Sequence, residues 1–242
     1  MALHFLVESS SDAAVGDIVS LTGPEAKHAA VVRRLRVGEA LTIGDGAGVW
    51  LSGVAEAVSP SQVDVRISDR ATQAPPSPRI TLVQALAKGD RDELAVQAAC
   101  ELGIDEIVPW QAARSVSRWE GAKAVKGRER WASIVREAAK QAHRAWIPSV
   151  SAPVSTAELA TMAAGGRMLL LDPSASLRLS EVRSYDRDLI LVVGPEGGIA
   201  PEELQRLTDA GAERVLLGDT VLRTSTAGPA AIAVLSVTLG RW

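Results

Sequence analysis

Two loops hold the residue types and spacings best suited to chemistry. Residues 188–204 read DLILVVGPEGGIAPEEL, an aliphatic run that breaks at Gly194 into Gly-Pro-Glu-Gly-Gly and then resumes as a helical pattern. The stretch 189–193 carries no polar residue, as in a strand covered on both faces. Its C-terminal end is where open α/β sheets bind ligands, because loops diverge there and helix amides point inward. Gly197 and Gly198 let a ligand approach the backbone, and Glu196 adds a carboxylate between them and the strand. Pro201 suits the first turn of the next helix, and Glu202 and Glu203 follow where the helix dipole favours carboxylates.

The second loop lies in ERVLLGDTVLRTSTAGPAA, residues 213–231. It leaves a strand at Leu217 and Gly218, passes Leu222 and Arg223, and enters the last helix through Thr224, Ser225 and Thr226, all N-cap formers, with Ala227 in the first turn. A third strand end, in LLLDPSAS, offers Leu171 and Asp172. The three ends could bring backbone amides, hydroxyls and one arginine to a single crevice. The competing reading is a tight turn without a ligand, capping threonines and a solvated arginine. GPEGG lacks the GK[ST] of a Walker A loop and no GxGxxG follows a strand, which disfavours ATP and NAD.

These loops need a sheet to hold them. The chain has 242 residues, 47% apolar and 23% charged, enough for one large domain or two of ordinary size. Three prolines crowd residues 75–78 in ATQAPPSPR, marking a linker over 73–79. Before it, LHFLV, DIVSL, EALTIG, VWLSGVAEAV and QVDVRISD read as the short strands of a small β-barrel or sandwich over residues 1–72, with one helix near GPEAKHAAVVRRL. After it, over 80–242, strands RITLVQAL, IDEIVPW, RMLLLD, DLILVVG and ERVLLG alternate with helices, one of them near 128–145. That alternation predicts an α/β domain with a mostly parallel sheet. The last segment, TAGPAAIAVLSVTLG, is apolar or small on nearly every face and should be buried against the sheet or another subunit.

Several classes are disfavoured. The N-terminus lacks a basic region before its short apolar patch, and no uncharged apolar run reaches about 18 residues, so a cytoplasmic protein without a membrane segment is expected. One cysteine, Cys100, and three histidines, His4, His28 and His143, give no metal-ligand spacing. Cys100 reads as small apolar filling in an amphipathic helix. With a net charge of −3, any nucleic-acid binding must rest on a local patch. One exists: residues 114–144 hold nine Lys/Arg against three acids, although a solvated helix face has the same pattern. Trp110, Trp119, Trp131 and Trp146 accompany it and could stack on bases, with core packing the stronger reading for Trp131.

In combination these stretches resemble the ribosomal RNA small subunit methyltransferase E family, of the SPOUT class. The likeness rests on LVVGPEGGIAPEEL and LLGDTVLRTSTAGPAAIAVL, and extends through KHAAVVRRLRVGE, ALAKGDRDELAVQAACELGIDEIVPWQAARSV and EAAKQAHRAWIP, in order, over nearly the whole chain. It implies S-adenosylmethionine-dependent methylation of N3 of a uridine in 16S rRNA of the small ribosomal subunit. It also implies a PUA-like β-barrel for RNA, a SPOUT domain whose C-terminal trefoil knot surrounds the cofactor, and a homodimer. The cofactor residues it implies are Leu171, Asp172, Gly194, Glu196, Gly197, Gly198, Leu217, Gly218, Leu222, Thr224, Ser225 and Ala227. Arg223 is the catalytic candidate, placed to stabilise charge on the uracil oxygens. RNA contacts fall to His28, Arg33, Arg34, Lys88, Arg91, Arg114, Arg118, Lys140, Gln141 and Arg144. No metal is implied. Ser225 stands where the family has glutamate, Gly218-Asp219-Thr220 where it has Gly-Pro-Arg, and His143 where it has glycine. A non-catalytic RNA-binding module keeping the cleft for regulation is the alternative class, and a nucleotide-dependent oxidoreductase is a distant third.

Overall fold

A computed structural model describes residues 3–183 and 187–242. The chain divides into two compact units, residues 1–75 with 139–147, and residues 76–138 with 148–242.

The first unit is built on a five-stranded mixed sheet. Its strands are β1 (Leu3–Leu6), β2 (Ile18–Thr22), β3 (Ala40–Gly44), β4 (Val49–Val58) and β5 (Gln62–Thr72), in the order β1-β3-β4-β5-β2. Only β1 and β3 pair in parallel. Period-two alternation turns Leu51, Val63, Val65 and Ile67 inward, where they meet Phe5 from β1 and Leu21 from β2 in one core. Register shifts beside Gly53 and Ala55 bend β4. Gly53 is required there, because a Cβ would lie 2.6 Å from the Arg66 carbonyl oxygen. The helix expected near residue 23 is short: α1 (Gly23–Lys27) gives way to a π-turn over His28–Val32.

The second unit has six strands, all parallel: β6 (Ile80–Ala85), β7 (Glu106–Trp110), β8 (Ser149–Val150), β9 (Arg167–Leu171), β10 (Leu189–Val193) and β11 (Glu213–Val215), in the order β11-β9-β10-β6-β7-β8. The helices are α2 (Arg91–Glu101), α3 (Ala122–Gln141), α4 (Thr156–Met162), α5 (Pro201–Asp209) and α6 (Thr224–Thr238). Both faces of the sheet are covered, which is why β6 and β10 are buried at every position. Val83, Ala85, Ile190 and Val192 join Leu159 of α4 and Leu207 of α5 in the core of one face. Leu82 and Val193 take the other, against α6.

The strands follow the sequence reading, while the long helix differs at both ends. It runs 122–141 rather than 128–145. Its C-terminus is set by His143, at φ +55°, with hydrogen bonds from the His143 amide to the Lys140 carbonyl (3.1 Å) and from the Arg144 amide to the Ala139 carbonyl (2.9 Å). This is a Schellman stop, whose left-handed residue is ordinarily glycine. The apolar stripe is as expected, with Trp131 and Val135 wholly buried. The strand β8 and helix α4 are additions, because two residues of ladder and seven of helix are too short to register in a periodicity.

Lys140 is a correction. The sequence reading sets it out for phosphate, yet it is 7% exposed and its Nζ lies 2.7 Å from Glu25 Oε1. A buried charge that loses its partner is costly. We therefore expect Lys140→Ala to lower unfolding free energy by about 3–5 kcal/mol in a urea titration. RNA binding measured well below the denaturation midpoint should keep its salt dependence.

Candidate functional site

The C-terminal ends of β9, β10 and β11, with the N-terminus of α6, enclose a cavity of about 600 Å³. That size suits a small organic ligand. Its walls are mainly aliphatic, from Leu171, Val193, Leu204, Val215, Leu217 and Leu222, and its polar lining residues are Arg91, Asp172, Ser174, Glu196, Thr220, Arg223 and Thr224. Of the cofactor residues expected from the sequence, Leu171, Asp172, Gly194, Glu196, Gly198, Leu217, Gly218, Leu222, Thr224 and Ala227 line this cavity. Gly197 and Ser225 are neighbours in sequence but not part of the lining.

Each loop is held by identifiable contacts. Gly198 sits at φ +71°, a conformation that L side chains rarely adopt, and its amide bonds the Pro195 carbonyl at 2.9 Å. The Gly197 carbonyl accepts from Arg114 Nη1 at 3.0 Å, so Arg114 braces the glycine loop. Glu196 Oε1 accepts from the Lys88 amide and from Arg91 Nη1, each at 3.0 Å. Burial pushes the Glu196 carboxyl upward, but its own amide, the Lys88 amide and the Arg91 guanidinium outweigh this and hold it below the usual range. Arg91 itself lines the cavity.

Asp172 caps the β9 end. It accepts from the Ser174 amide and hydroxyl at 2.9 Å each, and from Arg214 Nε at 2.6 Å. Burial raises its affinity for a proton; the Ser174 bonds and the Arg214 charge more than reverse that, leaving the carboxyl depressed. Beyond β11, the Leu216 amide donates to the Leu177 carbonyl at 2.9 Å and the Leu216 carbonyl accepts the Leu179 amide at 2.8 Å. The chain then crosses Leu217–Leu222 to Arg223, the N-cap of α6, whose carbonyl accepts the Thr226 and Ala227 amides. The Arg223 side chain is exposed on the cavity wall.

One participant was not singled out in the sequence. Gln84 on β6 is wholly buried, and its Nε2 donates to Thr224 Oγ1 at 2.9 Å, while that hydroxyl donates to the Gly194 carbonyl at 2.9 Å. The available signal is an amide within a buried, mostly aliphatic run, ITLVQA. Glu203 also exceeds its expected role as a helix-dipole carboxylate. It is 7% exposed and accepts from the Ala113 amide (2.8 Å) and the Thr156 hydroxyl (2.5 Å), tying α5 to the 111–118 loop and α4.

The other RNA candidates fall in several settings. Arg33 and Arg34 are exposed, with Arg34 at φ +54°. His28 is half-buried, edge-on to Phe5 at 6.1 Å. Lys88 and Gln141 are exposed and Arg144 is half-buried. Arg118 is exposed and donates to the Ala113 carbonyl. Trp110 and Trp131 are wholly buried, which leaves them no face for a base, while the partly buried Trp119 packs edge-on to Trp131 and Trp146 donates to the Gln73 carbonyl. Among the described residues no cluster of metal-ligating side chains occurs, and no helix is long and apolar enough to cross a membrane.

Comparison with known proteins agrees with this geometry. Residues 75–236 match the family model described as an RNA methyltransferase domain, and residues 21–68 match one described as an RNA methyltransferase PUA domain. A ribosomal RNA small subunit methyltransferase E from Mycobacterium bovis is 44% identical, covering 100% of this chain and 94% of that protein. The chain belongs to the ribosomal RNA small subunit methyltransferase E family. A second member, from Bacillus subtilis, is 30% identical over 90% of this chain and 89% of its own. Among solved structures, a methyltransferase E from Neisseria gonorrhoeae bound to S-adenosyl methionine superposes with a TM-score of 0.88 at 29% identity, covering 98% of each chain. A putative methyltransferase from Legionella pneumophila, in complex with the same cofactor, gives 0.88 at 30% identity and the same coverage. The PUA-like unit and the α/β methyltransferase fold with a parallel sheet are thus those of the methyltransferase E family.

Two outcomes test the cavity. Gly198→Val forces a branched residue into positive φ, at a cost of about 1–3 kcal/mol, and calorimetry should show weakened S-adenosylmethionine binding by a protein that still folds. Asp172→Asn should destabilise the protein at neutral pH. Because the folded carboxyl is depressed, its contribution is present above the ordinary aspartate value of 3.8 and is lost as pH falls below it. Melting curves of wild type and Asp172→Asn should therefore converge in that acid range.

Proposed function

We propose that this protein is an S-adenosylmethionine-dependent methyltransferase acting on 16S rRNA of the small ribosomal subunit, with N3 of one uridine as the acceptor. The observation that carries the reading is the cavity where three parallel strand ends meet the N-terminus of α6, in a chain of the methyltransferase E family. The residues fit the cofactor. Aliphatic walls suit a purine, backbone groups of the loops offer its hydrogen bonds, and the lining contains no lysine or Walker-type cradle for a triphosphate. Leu171, Gly194, Gly198, Leu217, Leu222 and Ala227 would hold it.

S-adenosylmethionine supplies an electrophilic methyl group, so the protein's task is to align the nucleophile and assist its deprotonation. Loss of the N3 proton spreads negative charge over the uracil O2 and O4. Arg223, an exposed guanidinium at the cavity edge, is the group positioned to stabilise that charge. No lining histidine offers a base. Arg33, Arg34 and Gln141 are exposed and available for RNA contacts.

Two further features belong to this reading. A trefoil knot is supported by the clasp of Leu177 and Leu179 on Leu216, followed by the return of the chain to Thr224 against Gly194 and Gln84. A homodimer through α6 is supported by apolar surface at its C-terminal end, where Val237 and Trp242 are 62% and 63% exposed. The cytoplasm, where ribosomal RNA is found, is the corresponding location.

Single-turnover methylation at saturating cofactor and RNA is the deciding measurement. Arg223→Ala should slow methyl transfer by about 10²- to 10³-fold, the scale of one lost oxyanion donor, while cofactor affinity changes little. A full rate for Arg223→Ala would remove it from catalysis. Absence of any methyl transfer by the wild-type protein to free or assembled small-subunit RNA would leave the RNA-binding module as the reading.

A further inference from the structure

We propose that Gln84 is a positioning residue for the cofactor cavity: its carboxamide fixes the Thr224 hydroxyl and, through it, the loop that carries Leu222 and Arg223. The inference rests on reading the cavity as an S-adenosylmethionine site.

Gln84 is 0% exposed and lies on β6, on the face that α6 covers. Thr224 is 6% exposed at the first position of α6. A threonine hydroxyl has one proton, and here it goes to the Gly194 carbonyl at 2.9 Å. The oxygen can then only accept, and Gln84 Nε2 is its donor at 2.9 Å, with a second bond to the Ala85 carbonyl at 3.2 Å. Turning the amide over would give the hydroxyl two acceptors for one proton. The orientation is therefore fixed, and it leaves Gln84 Oε1 buried with no hydrogen-bond partner.

A buried carbonyl without a partner destabilises a fold. Methionine would fill a similar volume at this position without that penalty. What the amide gains is geometric: it pins the ends of β6 and β10 and the start of α6 to one point. Gly194 and Thr224 line the cavity and Gln84 does not, so its influence on a ligand must pass through them. Arg223 is the residue immediately before Thr224, and its backbone enters the helix at the angle that this point sets.

The prediction is a residue that lowers stability while raising affinity. Gln84→Met should leave the melting temperature equal or higher, yet weaken S-adenosylmethionine binding by about 5- to 100-fold, the range for one buried hydrogen bond. Thr224→Val should weaken it comparably, and Thr224→Ser, which keeps the hydroxyl, should bind nearly as wild type. Because the two residues act through one contact, the double variant Gln84→Met/Thr224→Val should bind no worse than the weaker single variant. In cofactor-free protein, hydrogen exchange at residues 222–227 should be faster in Gln84→Met, with exchange in β6 and β7 unchanged. Additive losses of affinity, or a fall in melting temperature that parallels them, would make Gln84 a structural residue and overturn the proposal. Wild-type protein that binds no S-adenosylmethionine would overturn the functional reading instead, and the exchange measurement would still decide whether Gln84 orders the loop.

Discussion

Close approach of α6 to β6 and β10 is the constraint on which the cavity depends. Gly228 eases it: a Cβ there would lie 3.3 Å from Leu82 Cδ1, tighter than most side chains accept, and in contact with Val193 Cγ2 at 3.4 Å. The helix packs there without a side chain of its own in between, and its first residue reaches Gln84 on β6 and Gly194 after β10. Thr224 bonds Gly194 and Gln84 only because the helix is that close. Were α6 held off by a larger residue, the loop from Leu217 to Arg223 would lose its fixed end and the cavity one of its walls.

Other polar groups act as braces around that point. Glu203 joins α5, the Ala113 backbone and Thr156, and Arg114, from the same loop, supports the Gly197 carbonyl. Glu196 ties the glycine loop to Lys88 and Arg91 at the end of β6. The buried Glu203 carboxylate has donors that satisfy it in place of water, as a buried charge requires. The glycine loop is thus supported from two sides, by Arg114 of the 111–118 loop and by the β6 exit, and the open side is left to the ligand. Such support holds the backbone amides in place before anything binds, which lowers the cost of binding.

The basic segment shows how a charge count differs from a charged surface. Arg128 donates to the Val150 carbonyl, Arg130 pairs with Glu93, Lys140 with Glu25, and Arg114 and Arg118 bond backbone carbonyls. These five basic residues of 114–144 thus have structural partners. Lys123 and Lys126 remain exposed on α3. Phosphate contacts drawn from composition alone would have included residues whose charge the fold already uses.

The sequence by itself determined every strand but the two-residue β8, the parallel α/β setting and the two glycine-bearing loops, because continuous aliphatic runs and turn residues report burial and chain reversal locally. It also supplied the family, through the order of motifs such as LVVGPEGG and VLRTSTAGPAA. Tertiary structure alone decided which side chains face one another. Nothing near Gln84 in sequence announces Thr224, 140 residues away, and nothing near Lys140 announces Glu25, 115 residues away. The stop of α3 at His143 is likewise invisible to propensity, since a histidine in the left-handed region is tolerated only where packing and the Schellman bonds hold it. Periodicity describes the environment of one element; the partner of a buried polar group is set by the register between elements, and only the folded chain fixes that.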